Sequence, residues 1–225
     1  MKKYRILFIG KPKDFYSQKF YFILKKNFKH VSSIFDNSIN HKKIKTKIKT
    51  WKGDYIFCFR SRYILTRNDI INHKEKIVNF HPGPPEYRGI GCVNFAIMNN
   101  EKKYGVTAHL IDSVKIDRGK IIDVARWKIK NNESVDEILK KTYLNQLIQL
   151  KRIIQYIKKK KLNLLIKKSK KNQWSKKLYT RRQLNQLYQI NVNKKKNLTK
   201  VLRSTVTKKF KPYILIEGKK FIYEN

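Results

Sequence analysis

The sequence predicts an α/β domain with a short C-terminal helix and β-hairpin extension, and three observations predict it. A short apolar run, Tyr4 to Ile9, closes on Gly10 and leads into residues with helical spacing, which is how an α/β fold begins. Two further apolar runs, Asp54 to Phe59 and Lys76 to Phe80, recur with a helical segment between them. After residue 150 the composition changes: residues 151–225 hold 24 Lys or Arg and two acids, Glu217 and Glu224. We therefore divide the chain into a main domain, residues 1–180, and a small extension, residues 181–225.

The elements follow in order. Tyr4 to Ile9 reads as a buried strand, and Phe15 to Phe28 as the first helix, with Phe15, Phe20, Ile23 and Leu24 as its apolar positions. Val31 to Phe35 is a candidate second strand, whereas His41 to Thr50 is Lys-rich with no evident core face. Asp54 to Phe59 is a strong strand. Ile64 to His73 reads as a helix with Thr66 as N-cap. Lys76 to Phe80 is a strand that runs into His81-Pro82-Gly83-Pro84-Pro85, a rigid non-helical turn. A short helix closes over Ala96 to Lys102, and Tyr104 to Ile111 and Gly119 to Ala125 form two strands that pair. Ser134 and Glu137 form a capping box for a long helix whose apolar face runs through Ile138, Leu139, Leu144, Leu147, Leu150 and Ile154. In the extension, Thr180 caps a helix from Arg181 to Ile190, and Leu198 to Thr205 forms another. Tyr213 to Ile216 and Lys219 to Tyr223 make a hairpin across Glu217-Gly218.

Bulk properties narrow the function classes. Hydrophobic residues at 40% and aromatics at 12% suit a packed core rather than disorder. Cys58 and Cys92 lack a metal-type spacing, which points to a reduced, cytoplasmic protein. No run approaches the roughly 18 apolar residues of a membrane span, and the apolar stretch after Met1-Lys2-Lys3 is too short for an export signal. The net charge of +40 has two readings. It suits a nucleic-acid partner, and it also follows from a genome rich in the codons of Lys, Asn and Ile.

The chemistry centres on Asn79-Phe80-His81. Positions two apart in a strand share a face, so Asn79 and His81 project together at the carboxyl end of a strand, where α/β sheets bind ligands. Asn supplies an N–H donor, and His a donor, acceptor or proton carrier. Alone, such a pair is more often turn chemistry. Asp117 alone likewise reads as a turn residue ahead of Gly119.

The context is more specific. Gly105-Val106-Thr107-Ala108-His109 follows, and then Asp117-Arg118-Gly119-Lys120-Ile121-Ile122. Together, in this order, these residues resemble the folate-dependent formyltransferase family, which includes glycinamide ribonucleotide, methionyl-tRNA and sugar N-formyltransferases. The string Asn79 to Gly89 looks most like the sugar branch. The resemblance covers residues 54–125 and implies a Rossmann-like domain. It places the catalytic trio on Asn79, His81 and Asp117, with His109 supporting them. It implies a 10-formyltetrahydrofolate co-substrate held by Arg62, Tyr63, Ile64 and Leu65, largely through backbone groups, with Val114 closing the other side. No metal is implied. Glu86, Tyr87 and Arg88, just after the catalytic turn, are placed to contact the amine. Trp51, Trp127 and Trp174 read as packing residues, and His30, His41 and His73 as surface ones.

Two acceptors compete. A nucleotide-linked amino sugar fits the Asn79-to-Gly89 string and the short tail. Methionyl-tRNA fits the charge, but its formyltransferases carry a complete C-terminal barrel, for which the residues after 180 are too few. A purine-pathway acceptor is set aside because that branch commonly has Ser where Gly83 stands. A basic RNA-binding protein without catalysis is the reading of another class, and it leaves the ordered motifs unexplained. No membrane partner is expected. The tail hairpin is either a homodimer contact or a cap.

Overall fold

The computed structural model describes residues 3–36, 41–191 and 197–224; Met1 and Lys2 lie outside them. It begins with β1 (Arg5–Gly10), α1 (Phe15–Asn27), β2 (His30–Phe35), α2 (His41–Lys49), β3 (Tyr55–Phe59), α3 (Arg67–Asn72) and β4 (Ile77–His81). There follow β5 (Arg88–Gly89), α4 (Cys92–Met98), β6 (Lys103–Leu110), β7 (Ile121–Lys128), α5 (Val135–Lys158), α6 (Leu162–Lys168) and β8 (Leu178–Tyr179). The tail contributes α7 (Arg181–Tyr188), α8 (Leu198–Thr205), β9 (Tyr213–Ile216) and β10 (Lys219–Ile222).

Six strands form one sheet in the order β2-β1-β3-β4-β6-β7. The first four are parallel, and β6 and β7 join antiparallel. Each of β1, β3 and β4 is a near-continuous apolar run because helices cover both faces. Phe8, Phe57, Phe59 and Phe80 pack toward α1 and α5. Leu7, Ile9, Ile56 and Ile77 pack on the other face with Ile44 and Ile48 of α2. Phe20 of α1 is the hub of the first layer, stacked on Phe59 at 4.7 Å and edge-on to Phe80 at 4.8 Å. Phe20→Ala is expected to cost about 3–5 kcal/mol of stability, read as a lower urea midpoint at unchanged m-value.

The strand–helix order, the Thr66 cap, the Ser134–Glu137 capping box and the terminal hairpin stand as the sequence predicts. Several details differ. The 41–50 segment has a core face after all: Ile44 and Ile48, one turn apart, are fully buried. The helix expected from Ile64 begins at Arg67, because Thr66 and Asp69 cap each other there. The helix read over Ala96 to Lys102 lies earlier, at Cys92–Met98, and Asn100 beyond it takes a φ of +57°. On α5, Leu144 is 42% exposed, while Ile153 and Ile157 are buried. His73 is buried, its Nε2 within 2.7 Å of the Ile48 carbonyl. Helix α6 and the two-residue pair β5–β8 were too short to register as a pattern. Among the described residues no helix is long and apolar enough to cross a membrane.

α8 packs against α4, α5 and α7. Leu184, Leu187 and Val201 are buried, and Asn94 Nδ2 donates to the Ser204 carbonyl at 2.7 Å. Glu217 and Gly218 turn the hairpin with φ values of +48° and +76°, the pair of positive angles that a tight two-residue turn requires.

Candidate active site

The site forms where β4 ends beside β6. Asn79 pairs with His109 and His81 with Thr107, so the alternation of the strand brings Asn79, His81 and His109 to one region. Gln146 of α5, fully buried, donates to the Phe80 carbonyl at 2.9 Å and fixes the strand between the two site residues. His109 Nδ1 lies 2.8 Å from the Leu110 carbonyl and donates to it, which leaves Nε2 to accept from Asn79 Nδ2 at 3.1 Å.

Asp117 arrives from the loop after β6 with a φ of +46°. Its Oδ2 accepts from the Gly89 N–H at 2.9 Å and lies 3.2 Å from His81 Nδ1. Its Oδ1 lies 3.5 Å from His109 Nε2. The loop closes tightly over Gly119, where a Cβ would come within 1.7 Å of the Leu110 carbonyl oxygen; the glycine of Asp-Arg-Gly is a steric requirement. Burial alone would raise the Asp117 pKa, but the facing His81 and the Gly89 N–H hold the carboxyl well below the usual carboxylate range. His81 is 2% exposed. Burial pulls its pKa down, against Asp117 and the Tyr87 carbonyl, which favour the protonated ring. Its Nε2 lies 2.7 Å from that carbonyl and 3.7 Å from Cys92 Sγ. Gly83 leaves the room for this, since a Cβ there would stand 2.8 Å from Nε2.

Two cavities flank the cluster. A small slot of about 160 Å³ is lined by Asn79, His109 and Asp117 together with Tyr63, Ile64, Leu65 and Val114. Of the residues expected at the co-substrate, Arg62 alone is not among its lining; its N–H donates to Asp36 at 2.7 Å. His109 borders the slot directly. On the other side lies a cleft of about 940 Å³, whose wall includes Pro82, Gly89 and Cys92 beside His81.

The three residues expected at the amine turn elsewhere. Glu86 forms a bidentate pair with Arg126 at 2.9 and 3.0 Å. Tyr87 is buried, stacks on Tyr179, and donates its hydroxyl to Glu101 at 2.8 Å. Arg88 is 5% exposed and clamps the loop that carries Asp117. It donates to the carbonyls of Asp117 (2.8 Å), Ile116 (2.7 Å) and Ser175 (3.0 Å). Arg88→Met should lower stability by at least about 2 kcal/mol, since several carbonyls lose charged donors. Hydrogen exchange at residues 116–119 should rise with it; an unchanged exchange rate would remove Arg88 from the account of the loop.

Two further groups border the site, the first of them a residue that the sequence reads as packing. Trp174 donates Nε1–H to the Gly119 carbonyl at 2.7 Å and sets its ring edge-on to His109 at 5.0 Å and His81 at 5.8 Å. It packs over both histidines. The second group is the tail wall of the larger cleft, including Arg181, Tyr188, Lys209, Phe210 and Tyr213; the cationic composition of the tail was its one signal.

Residues 10–154 match the family described as Formyl transferase. A 132-residue stretch is 33% identical to the bifunctional polymyxin resistance protein ArnA of Wigglesworthia glossinidia brevipalpis, covering 57% of this chain and 20% of that protein. The chain thus spans a fifth of that relative, and 40% or less of the curated methionyl-tRNA formyltransferases it also matches. A sugar N-formyltransferase from a Shewanella species superposes with a TM-score of 0.75 at 17% identity, over 100% of this chain and 98% of that one. An N-formyltransferase from Helicobacter canadensis, solved in complex with folinic acid and dTDP-3-aminofucose, superposes with a TM-score of 0.66 at 21% identity, over 98% and 86%. At these identities the structural likeness concerns the fold.

Proposed function

The chain belongs to the formyl transferase family, and from that premise we propose that it transfers a formyl group from 10-formyltetrahydrofolate to the amino group of a nucleotide-linked sugar. One observation carries the reading: the polar cluster of Asn79, His109 and Asp117 forms the inner end of a slot whose other lining is largely apolar. Ile64, Val114 and Ile116 of that lining are 75%, 61% and 49% exposed. Exposed aliphatic groups gathered around a polar base fit a flat heteroaromatic ligand with one reactive end. Tyr63, Ile64, Leu65 and Val114 would hold the folate head, and the bound folate supplies the formyl group.

The chain's own residues do the rest. Asn79, bonded through one N–H to His109, turns its other N–H toward the oxygen on which negative charge builds; one such donor contributes on the order of 3 kcal/mol. His81 and Asp117, 3.2 Å apart, form the pair that takes the proton released by the amine. The charged ring is then met by Asp117 at 3.2 Å and by the Tyr87 carbonyl at 2.7 Å. The amine approaches from the larger cleft, whose wall at Pro82 and Cys92 adjoins His81. The relative solved with dTDP-3-aminofucose supports a nucleotide sugar as the acceptor. The free, buried Cys58 and Cys92 accord with the cytoplasmic site of action that we propose.

Methionyl-tRNA is the second reading, favoured by the charge of +40. An acceptor panel separates the two. With 10-formyltetrahydrofolate, the protein should formylate dTDP- or GDP-linked amino sugars, detected by mass spectrometry. Formylation of charged Met-tRNA alone would reject the sugar acceptor.

A further inference from the structure

The larger cleft is strongly cationic. Eight lysines and arginines line it against one acid, Asp136, and that acid already accepts from the Lys208 N–H at 2.8 Å. Within it, Arg60 stands at the end of β3. Its φ of +56° holds a bulky residue in the left-handed region. Its guanidinium lies 3.9 Å from the centre of the Tyr143 ring, and Nη2 is 3.3 Å from Asp14. Nε and Nη1 are buried and have no hydrogen-bond acceptor, a costly state for a charged donor. Lys11 lines the cleft with it, and its pKa is lowered by burial and by the charge of Arg60.

The sheet register fixes where this pair stands. Gly10 pairs with Phe59, and Phe59 with Phe80. Lys11, Arg60 and His81 are therefore successive positions across three adjacent strand ends. Neighbouring strands are about 4.8 Å apart, so an anion held by Arg60 and Lys11 lies roughly 5–10 Å from His81, about one sugar ring away.

We propose that Arg60 and Lys11 bind the diphosphate of the acceptor. The planar guanidinium of Arg60, at the cleft wall, carries N–H donors of the kind phosphate oxygens match, and Lys11 beside it adds a point charge. The assignment deepens the nucleotide-sugar reading and rests on it for the identity of the ligand. It also orients that ligand: the diphosphate sits at the β1 and β3 ends and the amine at the β4 end.

Calorimetric titration of the intact protein with inorganic pyrophosphate, and with dTDP, tests it. Both should bind, and Arg60→Gln and Lys11→Gln should each weaken pyrophosphate about tenfold, the order of one charge-assisted hydrogen bond. Arg60→Lys should fall between, and folinic acid should bind all forms alike. In turnover, the KM for the amino sugar should rise in the same order. If Arg60→Gln melts early, Lys11→Gln, whose side chain makes no ion pair in the structure's described contacts, carries the test. Equal pyrophosphate affinity in wild type and both variants overturns the proposal, as does a wild type that binds neither probe. Loss of tRNA binding in Lys11→Gln without any pyrophosphate binding overturns it too. If pyrophosphate binds through Arg60 but no amino sugar is formylated, the anion site stands and the acceptor reading fails.

Discussion

Replacing Asp117 with asparagine is expected to lower kcat on the order of 10³-fold with little change in folding. The carboxylate accepts from the Gly89 N–H and faces His81 Nδ1. An amide can still accept from Gly89 through its oxygen, so the loop clamped by Arg88 keeps its shape. Its NH2 group then takes the place of Oδ1 beside His109 Nε2, and the neutral amide no longer offsets a positive charge on His81, which takes a proton from the amine less readily. The pH dependence sharpens the test. Asp117 raises the His81 pKa, while burial lowers it. Removing the carboxylate removes the raising influence, so the pKa falls further. The acid limb of kcat/KM, which follows protonation of His81, should move to lower pH in the variant. A limb that stays in place would mean that Asp117 and His81 do not act as a pair.

Asn79→Ala should cost about 10²- to 10³-fold in kcat. Truncation removes the amide that faces the slot and leaves His109 Nε2 without its 3.1 Å donor. The strand itself should survive, because its backbone pairs with β3 and β6 and Gln146 still holds the Phe80 carbonyl. Folinic acid affinity measured alongside separates the two explanations. A loss confined to kcat places Asn79 at the developing charge, whereas an equal loss of folate affinity would make it a binding residue only.

The alternation of β4 made the Asn79–His81 pairing legible, since a period of two needs no tertiary information. The same holds for the Gly105–His109 strand itself, whereas its register against β4 spans the intervening β5 and α4 and needs the fold. Asp117 was legible through Gly119, which the sharp loop demands. Helix α2 was hidden because Ile44 and Ile48 stand among five lysines, and a two-residue stripe is weaker than the charge around it. Arg88 was misplaced for a different reason. Its carbonyl partners at residues 116, 117 and 175 lie far along the chain, and sequence adjacency to the catalytic turn suggested the amine instead. Glu86 was drawn away by Arg126 in the same manner. The larger cleft is assembled from positions near 11, 60, 90, 140, 181 and 210, so no local window contains it. The +40 charge showed that cationic surface exists, while the fold shows where part of it converges.

The account rests on the Asn79–His81–Asp117 cluster carrying out the transfer step. Single-turnover transfer from 10-formyltetrahydrofolate to a dTDP-linked amino sugar, at saturating concentrations of both, measures that step alone. The account predicts that Asn79→Ala, His81→Asn and Asp117→Asn each slow it at least about 100-fold, and that the Asn79→Ala/Asp117→Asn pair falls short of the product of the single effects. Transfer at the wild-type rate in these variants would contradict it.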